Sequence, residues 1–329
     1  MNNTKLQLNF FLCGGAGFIG SNLTKFLQQK YTNCHITIYD NFSSGSLDFF
    51  DDALKENISF INSDIKNLDT LTDAMGEHDI VFLLAANPDI AMAQKFPDID
   101  FWEGTYLTHN TLEAMRKRGV SKIIYTSGSG VYGENNNIEF TEDYGPCIPI
   151  STYGASKLAS ESLIASYCHM YDFRARVFRI ANVVGPNQTH GVAYDFLRNL
   201  DDNKKLLKIL GDGTQTKSYI HISDLLQAIA LMIEQLSNIK NKEIYNVFNI
   251  ASADYITVNE IADLTCEILE LSPKDVKYEY TGGSRGWKGD VPKIKFDCKK
   301  INKLSWAPKM NSREAIKKSL LSMLNEIKK

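Results

Sequence analysis

No stretch of this sequence stays apolar long enough to span a bilayer, and the N-terminus lacks the charged segment followed by an apolar one that marks a secretory leader. Cysteine is sparse. Cys13, Cys34, Cys147, Cys168, Cys266 and Cys298 are scattered, with no C-x-x-C pair and no histidine cluster, which excludes a disulfide scaffold and any metal site of recognisable spacing. Such thiols suit a reducing compartment, and together these absences lead us to expect a cytoplasmic protein with no metal and no membrane partner. Excess charge of one sign is lacking too. A net charge of −3 without a lysine–arginine stripe excludes nucleic acid as the main partner, and Lys317, Lys318, Lys328 and Lys329 read as a solvated helix face and end. Repeats, low-complexity tracts and long linkers are absent. What remains is a chain of 329 residues with ordinary globular composition, long enough for one large domain or two smaller ones.

The first half alternates apolar runs with helical ones. Residues 10–13, 35–39, 58–61, 79–86, 122–126 and 174–180 read as strands buried on both faces, the pattern of an α/β doubly wound parallel sheet. Two long helices are expected over 101–117 and 152–171. Both are apolar on more than one face, which implies burial against something besides their own sheet, either a second copy in a four-helix bundle or the chain's own C-terminal part. Beyond Pro186 the alternation breaks into short mixed elements. Residues 211–214 read as a turn and 224–234 as a helix. A further helix over 257–271 opens with a capping box from Thr257 to Glu260. The expected division is a Rossmann-type domain over 1–185 and a smaller mixed lobe over 186–329, some of whose elements return to the sheet.

Two constellations carry chemistry. After the first strand, Gly14, Gly17 and Gly20 stand in G-x-x-G-x-x-G spacing, and a helix follows at once. Glycines there let the backbone approach a pyrophosphate, which the orphan N–H groups and dipole of the helix start then hold. Asp40 ends the next strand, twenty residues after Gly20. A carboxylate at that place accepts hydrogen bonds from ribose hydroxyls and repels a 2′-phosphate, so the cofactor read is NAD rather than its phosphorylated form. Cys13, beside the loop, ends a buried strand and reads as packing. The second constellation is Tyr153 and Lys157, four apart and hence on one helix face. An ammonium near a phenol favours the phenolate, and a tyrosine tuned downward can take a proton from an alcohol while hydride leaves its carbon.

Here the chain resembles the extended short-chain dehydrogenase/reductase family, in its nucleotide-sugar epimerase/dehydratase branch. The resemblance runs through Gly14-Gly15-Ala16-Gly17-Phe18-Ile19-Gly20, Asp40-Asn41, Ser63-Asp64-Ile65, Leu84-Ala85-Ala86, Thr126-Ser127 with Val131-Tyr132-Gly133, and Tyr153 with Lys157. It continues through Asn182-Val183-Val184-Gly185-Pro186, Tyr219-Ile220-His221 with Asp224, and Gly289-Asp290-Val291-Pro292. The resemblance implies that the loop with Phe18 and Ile19 cradles NAD. It further implies that Asp40 and Asn41 hold the adenosine ribose, that Asp64 and Ile65 meet the adenine, and that Leu84, Ala85 and Ala86 border the cofactor. Tyr153 would be the base, and Lys157 would bind the nicotinamide ribose and lower the tyrosine pKa. Asn182, Lys217 and either Arg285 or Lys288 would hold the nucleotide-diphosphate sugar. A homodimer through a four-helix bundle is also implied.

One departure stands out. Where the family carries a catalytic Ser or Thr, four residues before Tyr132, this chain has Gly128, with Ser127 and Ser129 on either side as substitutes. The same loop lacks the Asp-Glu of the family's 4,6-dehydratases and the glutamate of its glucuronate decarboxylases. The expected activity is therefore NAD-dependent 4-epimerisation through a transient 4-keto sugar. A 4-dehydrogenase that releases the keto sugar is the alternative, and a non-catalytic NAD-binding regulator a third. His221 reads as packing and Asp89 as a turn residue with some access to substrate. His190 reads equally as structural or as sugar-side, and Trp287 stacks on a base or pins its loop.

Overall fold

The apolar runs form the parallel strands β1 (Asn9–Cys13), β2 (His35–Asp40), β3 (Ile58–Asn62), β4 (Ile80–Leu83), β5 (Lys122–Gly128) and β6 (Arg174–Ile180). The chain then makes the short β7 (Asn182–Val184), β8 (Leu206–Ile209), β9 (Thr216–Lys217) and β10 (Tyr219–His221). It returns as β11 (Tyr245–Ile250) and ends with β12 (Ile256–Thr257) and β13 (Lys277–Tyr280). The helices are α1 (Phe18–Lys30), α2 (Asp52–Lys55), α3 (Leu68–Ala74), α4 (Tyr106–Arg118), α5 (Thr152–Met170), α6 (Val192–Asp202), α7 (Ile222–Ser237), α8 (Val258–Ile268), α9 (Lys299–Asn302) and α10 (Ser312–Ile327). This computed structural model describes residues 8–328 apart from 32, 56, 57, 136, 137, 239 and 253, so Lys329 of the basic tail lies outside the described residues.

Seven strands form one parallel sheet in the order β11-β6-β5-β4-β1-β2-β3. Period-2 alternation sends Phe10, Leu12, Ile36, Ile38 and Phe82 to one face against α1 and α7, and Phe11, Cys13, Tyr39, Val81 and Leu83 to the other. The second face packs on α4 and α5 through Leu112, Met115 and Ile164. Strand order reverses between β1 and β4, which opens a crevice at their carboxyl ends, the place where such sheets bind dinucleotides.

Two elements differ from the sequence reading. The helix expected from residue 101 begins as a π-helical turn, Phe101–Thr105, before α4 takes over. The seventh strand, β11, is not read from the sequence at all, because Asn246 and Asn249 interrupt its apolar pattern. Asn249 is fully buried yet satisfied: it accepts from the Tyr132 hydroxyl (2.6 Å) and donates to Phe140 O (2.8 Å) and Asp297 O (3.0 Å). With those partners a polar residue can occupy an interior strand at little cost. Through α7 and β11, the chain beyond residue 185 therefore contributes both a strand and a covering helix to the first sheet.

The rest of the second half packs α6, α8 and α10 around Leu197, Leu207, Ile261, Leu264, Ile316 and Leu320. The capping box on α8 is present: Thr257 Oγ1 accepts from Glu260 N (3.2 Å), and Glu260 Oε2 accepts from Thr257 N (2.8 Å). The strand pairs β8–β13, β7–β10 and β9–β12 hold this lobe against the carboxyl edge of the large sheet. No helix among the described residues is long and apolar enough to cross a membrane.

Candidate active site

One continuous cavity of about 1060 Å³ runs from the β1–β4 crevice to the second lobe. Its size suits a dinucleotide with a second ligand better than a single small molecule. At one end lies the glycine loop. Gly14 has φ +77°, its N–H donates to Tyr39 O (2.9 Å), and a Cβ on it would lie 2.6 Å from Ala85 N. Gly17 N-caps α1 with no side chain over the helix start, and Gly14, Gly17, Phe18, Ile19 and Gly20 all line the cavity. The uncapped amides and bare backbone suit a pyrophosphate.

Asp40 lines the same wall. Its carboxylate accepts from Ala16 N (2.9 Å) and Phe42 N (2.8 Å), which aims it and still leaves lone pairs for ribose hydroxyls. Asn41 donates to Asp64 (3.1 Å), and Asp64 also accepts from Lys66 N (2.8 Å), so these two arrive as a linked pair with Ile65 beside them. Leu84 and Ala85 donate from their backbones to Cys13 O, and Leu84, Ala85 and Ala86 border the cavity. These residues fit NAD: an anion cradle at a helix start, and a carboxylate where a 2′-phosphate would have to sit.

Tyr153 and Lys157 enter from the first turns of α5, whose N-cap Ser151 accepts from Gly154 N (3.1 Å). Lys157 is buried, donates to Thr126 O (2.8 Å), and lies 5.5 Å from the centre of the Tyr153 ring. The expected lowering of the tyrosine is not what this environment produces. Burial, reinforced by the Asp100 carboxylate, pushes Tyr153 up to about 12, while burial pulls Lys157 down to about 8 against the opposing pull of Glu161 and Asp100. Loss of water is the largest cause at both groups, and the ammonium is turned toward a backbone carbonyl. Asp100, unread in the sequence, is itself buried and accepts from Asn87 Nδ2 (3.0 Å) and Thr152 Oγ1 (2.7 Å).

The two serines beside Gly128 separate cleanly. Ser127 is buried and its hydroxyl donates to Glu161 Oε1 at 2.5 Å. Glu161 is in turn clamped by Arg179 through Nε and Nη2. Gly128 has an ordinary extended backbone, and a Cβ there would meet nothing within 4 Å. Ser129 opens a short 3-10 turn, lines the cavity, and makes no side-chain hydrogen bond among the described residues.

At the far end Asn182 and Lys217 line the cavity, and Lys217 pairs with Asp290 (2.7 Å) and also donates to Val291 O. Arg285 and Lys288 do not line it. Arg285 is held by Glu134 (2.7 Å) and Asp290 O (2.6 Å), and Lys288 points to solvent from its loop. Lys208 on β8, not singled out in the sequence, does line the cavity. Its signal was the outward position in the alternating run Leu207-Lys208-Ile209. Trp287 does reach the cavity, as do His190, Gln188 and Asp195. His221 is buried, caps α7 by accepting from Ser223 N, and has no place in the cavity. Cys13 is buried with its thiol pushed up to about 12, in keeping with packing, and no group of metal-binding side chains occurs among the described residues.

Residues 10–247 match the model of the NAD dependent epimerase/dehydratase family. A solved UDP-galactose 4-epimerase superposes with TM-score 0.85 at 32% identity, covering 97% of this chain and 100% of that one. Among curated proteins, the human dTDP-D-glucose 4,6-dehydratase is 29% identical over 93% of this chain and 87% of its own length. A UDP-glucuronate 4-epimerase of Thermodesulfobacterium geofontis is 28% identical over 94% of each. A family match over most of the chain, falling on the glycine loop, the Asp40 wall and the Tyr153–Lys157 helix, means that this chain belongs to the NAD dependent epimerase/dehydratase family: it is an NAD-dependent enzyme of the extended short-chain dehydrogenase/reductase type.

Proposed function

We propose that the protein is an NAD-dependent 4-epimerase of a nucleotide-diphosphate sugar, acting through a transient 4-keto sugar. The observation that carries this reading is the cavity floor, where Tyr153 and Lys157 face a loop, 127–130, with two serines and no carboxylate. Elimination of water needs a free acid and a free base near carbons 5 and 6. The carboxylates whose charge acts on the pair, Asp100 and Glu161, are each occupied by two partners. A floor so equipped supports proton exchange at a single hydroxyl.

Tyr153 takes the proton from the sugar's 4-hydroxyl and later returns one to the same oxygen. Lys157 holds positive charge beside the phenol and reaches toward the cofactor ribose. Bound NAD supplies the hydride acceptor for carbon 4 and a positive charge that opposes the upward push of burial on Tyr153. Ser129 is the hydroxyl that bridges the sugar oxygen and Tyr153, because Gly128 has none and Ser127 is engaged by Glu161. Asn182, Lys208 and Lys217 hold the diphosphate and nucleotide. Residues 1–185 form the NAD-binding domain that carries Tyr153 and Lys157, and 186–329 a smaller lobe that helps bind the sugar nucleotide, with α7 and β11 returned to the sheet. Free thiols and this chemistry suit the cytoplasm.

We also assign a homodimer. Phe101 and Trp102 are exposed at the head of α4, and Ala155, Ser162 and Ser166 form an exposed small-residue face along α5. Two such helix pairs can close as a four-helix bundle. Sedimentation velocity should give twice the 37.0 kDa chain mass, and Trp102→Glu with Ala155→Arg should give the monomer.

The first experiment incubates the protein and NAD with UDP-, dTDP-, GDP- and CDP-sugars. An isomer of unchanged mass without accumulating reduced nicotinamide supports the epimerase. Continuing accumulation with loss of two hydrogens from the sugar would replace it by the 4-dehydrogenase, and silence with every sugar would favour the regulator.

A further inference from the structure

We infer that the sugar moiety carries no carboxylate: the reacting end of the cavity selects a hexose that presents hydroxyl or N–H donors and rejects a hexuronate. This rests on the nucleotide-sugar reading above and narrows its substrate class.

Lys208 and Lys217 line the cavity from the second lobe, and Asp89, His190 and Asp195 line it as well, Asp89 at the Tyr153 end. Asp89 is tied to that end by hydrogen bonds. Asn87 Nδ2 donates to Asp89 O (2.9 Å) and to Asp100 Oδ1 (3.0 Å), and Asp100 accepts from Thr152, the neighbour of Tyr153. Asp195, from the first turn of α6, and His190 lie within electrostatic range of Asp89 and of each other.

Accounting for hydrogen bonds shows what these groups have left to offer. One oxygen of Asp89 caps the 3-10 turn after it by accepting from Ala91 N (3.1 Å); the other has no partner among the described residues. The Asp195 carboxylate has none either. Gln188, 7% exposed, donates Nε2 to His190 O (2.7 Å), and its buried Oε1 receives no donor. Two carboxylates with acceptor capacity to spare, Asp89 and Asp195, thus line the site. Burial pulls His190 down, so the imidazole adds no lasting positive charge near neutral pH. Lys208 and Lys217 serve the diphosphate and nucleotide in the reading above. Hydroxyls or N–H groups complete this acceptor set, whereas a carboxylate beside Asp89 and Asp195 would meet like charge.

The test is equilibrium binding of UDP-glucose and UDP-glucuronate, which differ only at carbon 6, to the NAD-loaded protein, repeated with the corresponding dTDP pair. The wild type should bind the neutral sugar about ten-fold tighter or better. In the double variant Asp89→Asn, Asp195→Asn the gap should shrink to about three-fold or less, chiefly because the uronate binds more tightly. Equal affinities in the wild type, or an undiminished gap in the variant, would overturn the inference. Isomer formation is scored separately: discrimination without isomerisation sinks the epimerase reading alone, and equal use of the uronate sinks the inference alone. Failure to bind either sugar in both nucleotide series overturns both.

Discussion

At Tyr153, burial and the Asp100 carboxylate act in the same direction and hold the phenol protonated in the protein without its cofactor. The phenol stands at about 12 because water is lost and Asp100 is near, and Lys157 at about 8 because its ammonium is buried. The Y-x-x-x-K spacing showed the two on one helix face but not the low-dielectric surroundings that decide their protonation. Tyr153→Phe should leave nucleotide-sugar binding intact and cut isomer formation by about 10²–10⁴-fold, read by following both sugars at equal enzyme. The serines make a sharper comparison. Ser129→Ala should lower kcat by about 10²-fold or more with unchanged melting. Ser127→Ala, which strips a buried hydroxyl from the Glu161 carboxylate, should instead cost about 1.5–3 kcal/mol of stability in denaturant titration. The sequence left these two serines equivalent, since both flank Gly128; only the Glu161–Arg179 clamp distinguishes them.

Among the elements, α5 does the most, carrying the reacting pair, the Glu161 clamp and the exposed small-residue face. Its buried Lys157 links protonation to stability. With a folded pKa of about 8 against the ordinary lysine value of 10.5, the unfolded chain holds the extra proton between those values, so this lysine makes stability rise with pH there. From pH 7 to 9 the wild type should gain about 1 kcal/mol relative to Lys157→Met, measured by urea unfolding of protein stripped of NAD. On α8 the capping box was legible because both partners lie three residues apart, and Thr257→Ala should cost about 1 kcal/mol. Strand β11 was not, because its two asparagines look like loop; Tyr132, Phe140 and Asp297, distant in the chain, supply the partners of the buried Asn249.

For the whole molecule, local pattern and long-range assembly divide the information. Alternating apolar strands, a glycine loop and an aspartate at the end of the second strand are short-range features, and they determined the doubly wound class, the crevice and the preference for NAD. Tertiary structure decided what depends on residues far apart meeting. It placed Lys208 in the cavity and turned Arg285 onto Glu134, a contact spanning 151 positions. It brought α7 and β11 back to the first sheet and set Asp89, His190 and Asp195 in the lining of one cavity. Backbone geometry and periodicity act over a few residues and are written in the sequence; the field and hydrogen-bond supply at a site are sums over every element that borders it, and these exist only once the chain has closed around the cavity.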